Sequence, residues 1–212
     1  LGSTEKKSDI LPVPLNVETQ NECLAFAAEA KKRVDTKMIK LVWSARWEFD
    51  KGPDRLLAIL QELEDRSVSY QIAILGEQFR STPKEFEQIK VQFSHRIIQF
   101  GFAESREFFL AFLFASDFVL STALHEFQGL SVLEAVSLGC VPVLPNRQVY
   151  PELFGDEYLY ESDILNVKIE AKSAVDLIQT HIENGAKAPL IHQYHMEQLL
   201  PYYDALIKKM AP

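Results

Sequence analysis

The chain has 212 residues, and 47% of them are hydrophobic, which suits one α/β domain with additional segments and argues against intrinsic disorder. Its net charge of −8 argues against a nucleic-acid-binding surface built by this chain alone, because phosphate backbones require clustered lysine and arginine. No apolar run reaches about 18 residues, so we predict no membrane span. Cys23 and Cys140 lie far apart in the sequence, which favours a reducing compartment. The first residues are polar and show no signal-peptide pattern. Together these observations predict a cytoplasmic protein.

Predicted elements alternate between strands and helices along most of the chain. Residues 1–17 have the composition of a linker, and residues 18–34 show helical spacing. Pro201 is expected to kink or restart the last helix. The predicted strands cover residues 38–44, 70–75, 96–100, 118–121, 141–144 and 158–160, and the later helices cover 53–65, 83–93, 105–115, 130–138, 164–184 and 192–210.

This alternation predicts the fold class α/β, with a Rossmann-like parallel sheet and helices on both faces. Continuous apolar runs such as residues 118–120 suit strands that are buried on both sides. Ligands of open parallel sheets bind beyond the carboxyl ends of the strands. We therefore expect the site along one edge of the sheet, in the loops 44–52, 76–82, 101–104 and 122–130.

The segment HEFQGLSVLE, residues 125–134, carries the most informative pattern. Glu126 and Glu134 stand eight residues apart, and Gly129 separates a buried strand from a helix start. Free N–H groups and the positive dipole end of a helix attract an anion, and the two carboxylates can accept hydrogen bonds from hydroxyls. A nucleotide sugar is anionic in the middle and hydroxylated on both sides. The alternative is a pair of solvated glutamates near a helix start.

A second pattern lies in the loop that follows the first predicted strand. Arg46 and Lys51 are five residues apart there. Fixed cations beside a departing nucleoside diphosphate lower the barrier to sugar transfer, because they stabilise the charge that develops. These cations make a metal unnecessary, so we expect no metal and no other cofactor. The alternative is a solvated loop with a Glu48–Lys51 ion pair.

Three further positions are weaker candidates for donor binding. His125 could contact the donor sugar or phosphate, or could instead bond to a loop carbonyl. Gly76, followed by Glu77, would allow close approach of the backbone to the donor. Phe102 ends a strand where the nucleotide base could lie, or it forms an ordinary core pair with Phe100.

These residues resemble the signature of retaining, family-4-like glycosyltransferases of the GT-B fold, which have two Rossmann-like domains. Glu126 and Glu134 fit the Glu-x7-Glu motif, Arg46 and Lys51 fit an Arg-x4-Lys pair, and residues 134–143 (EAVSLGCVPV) continue the match. The resemblance implies that residues 18–190 form the nucleotide-sugar-binding, C-terminal donor domain. It also implies that residues 1–17 are a linker and that 191–212 form a crossover helix towards an N-terminal acceptor domain outside this sequence.

The resemblance also assigns roles to these residues. Glu126 would reach the donor sugar, Glu134 would bind the ribose hydroxyls, and Arg46 and Lys51 would neutralise the diphosphate. Glu126, Arg46 and Lys51 are thus the predicted catalytic residues. The predicted donor-binding residues are Arg46, Lys51, Gly76, Phe102, His125, Gly129, Leu130, Ser131 and Glu134, with the diphosphate on the helix start at 129–131.

A narrower resemblance covers roughly residues 38–160. The segments RWEFDK, STALHEFQG and LEAVSLGCVPVLP resemble the tRNA-queuosine mannosyltransferases. This implies transfer of mannose from GDP-mannose to queuosine, with tRNA held through the N-terminal domain. Ala45, Phe49 and Gln128 depart from the pattern of that subfamily. Two alternatives stay open: another GT-B enzyme with a different donor and acceptor, such as a nucleotide-sugar epimerase, and a nucleotide-binding module without catalysis.

Overall fold

The structure, a computed structural model, describes residues 11–15, 38–78 and 82–210, without the side chain of Met210. The predicted helix over 18–34 and most of the predicted linker lie outside the described residues. The strands are β1 (Ile39–Ser44), β2 (Tyr70–Leu75), β3 (Ile97–Gly101), β4 (Phe118–Leu120), β5 (Val141–Pro145) and β6 (Leu159–Tyr160). The helices are α1 (Pro53–Asp65), α2 (Lys84–Gln92), α3 (Arg106–Ala115), α4 (Leu130–Ser137), α5 (Tyr150–Leu153), α6 (Val167–Asn184) and α7 (Met196–Met210).

The six strands form one parallel sheet in the order β3-β2-β1-β4-β5-β6. The chain builds outwards from β1 to β3 and then returns to add β4 on the other side of β1. At this switch point Trp43 of β1 is paired with Ile74 of β2 and Leu120 of β4. Loops leaving β1 and β4 diverge there to opposite sides, which opens a crevice at the carboxyl edge of the sheet.

Alternate side chains of the central strands pack into two separate cores, as expected when both faces of a sheet are covered. Leu41 and Trp43 of β1 face a core shared with α1, α2 and α6. Val42, between them, faces a core shared with α3 and α4. The predicted α/β class with helices on both faces is confirmed.

Most predicted boundaries agree with the structure within one or two residues, but the last helix begins at Met196 rather than at 192, where a separate 3₁₀ turn (His192–Tyr194) comes first. Three other features differ in an informative way. Tyr158 does not belong to β6 but to a 3₁₀ turn, Asp156–Tyr158. Helix α6 begins at Val167 rather than near 164, because the Asn166 side chain accepts a hydrogen bond from the N–H of Ile169 and caps the helix there. The last helix runs without interruption through Pro201, so it does not restart at this residue, and the kink expected there stays a prediction.

The segment 11–15 packs beside the start of α7. Leu15 donates its N–H to the carbonyl of Tyr194 (2.8 Å) and accepts from the N–H of Met196 (2.9 Å). The Gln128 side chain donates to the carbonyl of Val13 (2.7 Å). The segment is thereby connected both to α7 and to the loop that precedes α4.

Candidate functional site

A cavity of about 810 Å³ opens at the carboxyl edge of the sheet, where β1 and β2 end and α4 begins. All four loops expected there contribute to it, so a cavity lies where the sequence predicts the site. The described lining residues are Ser44, Ala45, Arg46, Asp50, Lys51, Leu75, Gly76, Glu77, Phe102, Ala103, Ser105, Arg106, Phe109, Glu126, Phe127, Gln128, Gly129, Leu130 and Ser131.

Lys51 is the most enclosed cation at the cavity, with only 8% of its surface exposed. It ends a short 3₁₀ turn, and Gly52 then leads directly into α1. Its Nζ donates to the His125 carbonyl at 2.7 Å and lies 3.3 Å from Glu126 Oε2. The Lys51 ammonium is therefore held in place at the wall of the cavity by acceptors of the Glu126 loop.

Glu126 lies opposite Lys51 and is held by its own loop. Its Oε1 accepts hydrogen bonds from the N–H groups of Phe127 (3.0 Å) and Gly129 (3.1 Å), while Oε2 faces Lys51. An ionised carboxylate has about four lone-pair sites, so this arrangement leaves acceptor capacity towards the cavity. The N–H of Gly129, expected to receive the diphosphate, is bonded to Glu126 in this structure.

At the start of α4, the backbone N–H groups of the residues that follow Gly129 can bind an anion. Leu130 and Ser131 are the first two residues of α4, and early helical N–H groups have no partner within the helix. The Ser131 hydroxyl donates to the carbonyl of Ser44 (2.9 Å) and joins α4 to the end of β1. Beneath them, a Cβ on Gly129 would lie 3.2 Å from the ring of Tyr150, a distance tighter than normal packing.

Arg46 lies at the open side of the cavity. Its side chain is 56% exposed and pairs with Glu48 at 3.0 Å. Surface ion pairs of this type are weak, so the guanidinium can leave Glu48 at small cost when an anion binds. The proposed alternative of a Glu48–Lys51 pair does not form, because Glu48 pairs with Arg46 while Lys51 faces Asp50 and Glu126.

Gly76 and Phe102 line the opposite wall. A Cβ on Gly76 would lie 2.0 Å from the Ala45 carbonyl and 2.8 Å from the Trp47 ring, so only glycine fits between these two loops. Phe102 is 67% exposed and faces the cavity. The alternative of a core phenylalanine pair is wrong for Phe102, whereas Phe100 does pack on Trp47, with ring centres 4.6 Å apart.

Two predicted site residues do not line the cavity. His125 is exposed, whereas its backbone joins two loops of the cavity. Its carbonyl accepts from Lys51, and its N–H donates to the Asp50 carbonyl. Glu134 lies one turn into α4 and pairs with Arg106, with Nη2–Oε1 at 2.5 Å and Nη1–Oε2 at 3.3 Å. Sequence reasoning missed Arg106, which lies 28 residues from its partner.

Buried polar groups hold the loops of the site from below. The indole N–H of Trp43 donates to the Thr122 hydroxyl (2.9 Å), which in turn donates to the Lys51 carbonyl (2.7 Å). Tyr150 shares a hydrogen bond with the Ser121 hydroxyl (2.7 Å). Burial raises the pKa of Tyr150 far above its ordinary value, so its hydroxyl keeps its proton over the physiological range.

Within residues 11–15, 38–78 and 82–210, no group of three or more His, Cys, Asp or Glu side chains is arranged to hold a metal ion. In the same part of the chain, no helix combines the length and apolar character needed to cross a membrane.

The comparison with protein families identifies the chain. A family model described as "Glycosyl transferases group 1" matches residues 26–195. The chain belongs to this family. The group 1 enzymes are retaining glycosyltransferases of the GT-B fold, so the resemblance inferred from the Glu-x7-Glu and Arg-x4-Lys motifs is confirmed.

Two mannosyltransferases are similar to the chain in sequence. A tRNA-queuosine alpha-mannosyltransferase of Drosophila melanogaster is 40% identical over 161 residues, which are 74% of this chain and 42% of the relative. A GDP-mannose:cellobiosyl-diphosphopolyprenol alpha-mannosyltransferase of Xanthomonas oryzae pv. oryzae (strain PXO99A) is 24% identical over 180 residues, which are 78% of this chain and 47% of the relative. The chain thus spans less than half the length of both relatives.

Among solved structures, sucrose-phosphate synthase from Thermosynechococcus elongatus superposes with a TM-score of 0.73 and 15% sequence identity. The match covers 95% of this chain and 52% of the synthase. At this identity the likeness concerns the fold alone. Together with the family match, it identifies the domain as the C-terminal, donor half of a GT-B glycosyltransferase.

Proposed function

We propose that this chain is the donor half of a retaining mannosyltransferase that transfers mannose from GDP-mannose to queuosine in tRNA. The observation that carries the proposal is the Lys51–Glu126 pair, fixed beside the start of α4 in a cavity large enough for a nucleotide sugar. The 40% identity to a tRNA-queuosine alpha-mannosyltransferase supports the sugar and the acceptor. The name of the second relative also includes GDP-mannose.

In this proposal the donor diphosphate lies at the start of α4, where the N–H groups of Leu130 and Ser131 and the helix dipole favour an anion. Arg46 leaves Glu48 and, with Lys51, neutralises the diphosphate as the bond to the sugar breaks. Both cations already line the cavity, and Lys51 is held in place before the donor binds, whereas Arg46 has to exchange Glu48 for the diphosphate.

The carboxylates act on the two hydroxylated ends of the donor. Glu126 accepts hydrogen bonds from sugar hydroxyls and stabilises the oxocarbenium-like state. When it turns towards the sugar, the N–H of Gly129 is released for the diphosphate. Glu134 accepts from the ribose hydroxyls. His125 contributes its backbone carbonyl, which holds Lys51, and Phe102 and Gly76 shape the wall on which the base lies.

The acceptor enters from an N-terminal domain outside this sequence. The acidic balance of the chain supports a tRNA surface that lies mainly on that domain. Helix α7 carries exposed apolar side chains at Leu200, Tyr202 and Ile207, which suits a helix that crosses back and packs against another domain. We expect this half alone to bind nucleotide and to turn over poorly. The free thiol of Cys140 fits a reducing compartment, so we place the enzyme in the cytoplasm.

Calorimetric titration of the chain with GDP, UDP, ADP and GDP-mannose tests the proposal. Selective binding of GDP and GDP-mannose supports it. Preference for UDP would keep the glycosyltransferase assignment and overturn the mannosyltransferase. The absence of binding, both here and in a longer protein that includes the N-terminal domain, would leave a module without donor chemistry.

The Arg46→Ala variant tests the site. It removes a charge-assisted contact to the diphosphate and should weaken GDP binding about 10- to 100-fold. Lys172→Ala is the matched control, because Lys172 is an exposed cation of α6 that pairs with Asp176. Equal affinities of the two variants for GDP would refute the assignment of Arg46.

A further inference from the structure

Arg106 forms a two-bond ion pair with Glu134 at the flank of the cavity. The guanidinium approaches the carboxylate through both terminal nitrogens, Nη2 to Oε1 at 2.5 Å and Nη1 to Oε2 at 3.3 Å. Its central carbon also lies 5.3 Å from the ring centre of Phe109, within the range of a cation–π contact. The Arg106 side chain is thus oriented by two neighbours, although 43% of it is exposed.

The position of the pair follows from the starts of two helices. Arg106 is the first residue of α3, directly after Ser105, whose hydroxyl caps the helix by accepting from the N–H of Phe108. Glu134 follows Ser131 by three residues on α4, so the two side chains lie on the same face of that helix. Arg106 and Ser131 both line the cavity, and Glu134, which does not line it, is joined to it through its pair with Arg106.

Arg106 also affects the balance of charges around the cavity. The acidic lining residues are Asp50, Glu77 and Glu126, and the basic ones besides Arg106 are Arg46 and Lys51. Without Arg106, acidic side chains would outnumber basic ones at a site that takes an anion. Glu134 would add a further negative charge close to the diphosphate.

We propose that Arg106 is a positioning residue that presents Glu134 to the ribose of a nucleoside diphosphate. The inference rests on the proposed function in two respects, namely that the cavity binds a nucleotide and that Glu134 accepts from its ribose. A bidentate guanidinium uses one lone-pair site on each carboxylate oxygen and fixes the plane of the carboxylate. The second site on each oxygen remains, and the two vicinal hydroxyls of a ribose can donate to them as a pair.

The test compares a ribonucleotide with its analogue lacking both hydroxyls. GDP and 2′,3′-dideoxy-GDP are titrated calorimetrically into the wild type, Arg106→Ala, Glu134→Gln and Arg46→Ala, with UDP and 2′,3′-dideoxy-UDP as a second pair. We expect Arg106→Ala to weaken GDP binding about tenfold, as for one lost charge-assisted hydrogen bond, and dideoxy-GDP binding much less. Arg46→Ala should weaken both by the same factor, because it acts on the diphosphate.

Three further readouts keep the test specific. The double variant Arg106→Ala/Glu134→Gln should bind GDP no more weakly than Glu134→Gln alone, since the two residues act as one unit. Arg106→Lys keeps the charge but loses the fork, and should restore little of the preference for GDP over its dideoxy analogue. Melting temperatures of all variants verify that each one is folded.

The possible results distinguish a failure of the positioning role of Arg106 from a failure of the proposed function. Equal weakening of GDP and dideoxy-GDP by Arg106→Ala would make Arg106 a general cation and overturn the positioning role. Unchanged or tighter GDP binding in Arg106→Ala would also overturn it, because Arg106 would then compete with ribose for Glu134. If neither the wild-type chain nor a longer protein that includes the N-terminal domain binds any of the four nucleotides, the proposed function fails, and the inference fails with it.

Discussion

Gly52 and Gly185 both have a left-handed backbone, but only Gly52 is packed against another backbone. Their φ angles are 64° and 59°. A Cβ on Gly52 would lie 2.1 Å from the Thr122 carbonyl, whereas a Cβ on Gly185 would meet nothing within 4 Å. Gly52 connects Lys51 to α1, and Thr122 precedes the loop of Glu126. The contact between Gly52 and Thr122 therefore fixes the separation of Lys51 and Glu126, and it leaves no room for a Cβ on Gly52.

These two glycines give a matched pair of variants. Gly185→Ala should cost about 1–2 kcal/mol of unfolding free energy, the usual cost of a left-handed conformation for an L-residue. Gly52→Ala should cost roughly 1–3 kcal/mol more, because the clash displaces a backbone. Urea unfolding measures both, and GDP titration should show weaker binding for Gly52→Ala alone. Similar unfolding free energies for the two variants would contradict the close approach to Thr122.

His181 is a buried histidine that makes stability depend on pH. It is 6% exposed and stacks between the rings of Phe118 and Tyr158, with centres 6.2 and 5.7 Å away. Burial lowers the pKa of His181 below its ordinary value of 6.5, against a smaller opposing contribution from a hydrogen bond with the Pro142 backbone. The folded chain thus takes up this proton less readily than the unfolded chain does.

The sign of the pH dependence follows from this lowered pKa. Above about pH 6.5 both states are neutral at His181, and stability is fully present. As the pH falls below that value the unfolded state is protonated first, so the free energy of unfolding decreases until the folded pKa is reached. We expect the unfolding free energy of the wild type to drop between pH 8 and pH 5.5, and that drop to be smaller in His181→Gln. An identical drop in both proteins would refute the assignment to His181.

At the scale of elements, a buried charged triad joins four parts of the chain. Glu170, fully buried in the first turn of α6, accepts from Arg55 Nε of α1 at 2.7 Å and from Arg147, which follows β5. Arg147 also donates to the Ala123 carbonyl at 2.9 Å, in the loop between β4 and α4. The loop that leads to Glu126 is thereby attached to α1 and α6, which cover the face of the sheet opposite to α4.

Removing the central carboxylate should be costly. Glu170→Gln removes the buried carboxylate that Arg147 and Arg55 share, although Arg55 keeps Asp54 at 2.9 Å. Breaking a buried pair in this way costs about 3–5 kcal/mol. Asp176→Asn is the control, because its carboxylate pairs with Lys172 and Arg66 on the surface, where a pair contributes about 0–1 kcal/mol. Urea unfolding compares the two variants. A loss in Glu170→Gln no larger than that in Asp176→Asn would mean that the triad does not secure this loop.

The elements themselves could largely be predicted from the sequence, because apolar runs and turn residues define them locally. The failures arose where a local signal was overlooked or overruled. Asn166 is a cap that could have located the start of α6, and Tyr158 entered a 3₁₀ turn despite its strand-like neighbours. Pro201 is accommodated inside α7.

The candidate site was predictable to the extent that it follows from a parallel sheet. Parallel strands bring their carboxyl ends to one edge, so the loops of Lys51 and Glu126 were expected at that edge. Their direct contact depends on the pairing of β4 with β1, which was not predicted. The partners of charged residues were not predictable, because the pair of Arg106 and Glu134 depends on how two helices dock. Glu170 has the appearance of a solvated glutamate in the sequence, and only the packed structure shows its burial.

For the whole molecule, nucleotide binding should be visible as added stability that does not require a metal. At a GDP concentration of about 100 times Kd, binding should raise the free energy of unfolding by about 2.7 kcal/mol. The increase should be equal in EDTA and in Mg²⁺, because Arg46, Lys51 and the start of α4 supply the positive charge. Thermal unfolding in both buffers measures it, and stabilisation that appears only with Mg²⁺ would refute the cation-based site.

The pairing of Leu15 with Tyr194 and Met196 determines how the domain would respond to mechanical tension. A pull that separates segment 11–15 from α7 acts on the two backbone hydrogen bonds of Leu15 and on the bond that the Tyr203 hydroxyl donates to the Pro12 carbonyl (2.8 Å). None of these bonds belongs to the six-stranded sheet. These contacts would open before the sheet is strained. Because Gln128 is bonded to Val13, the same pull would reach the mouth of the cavity before it reaches the core.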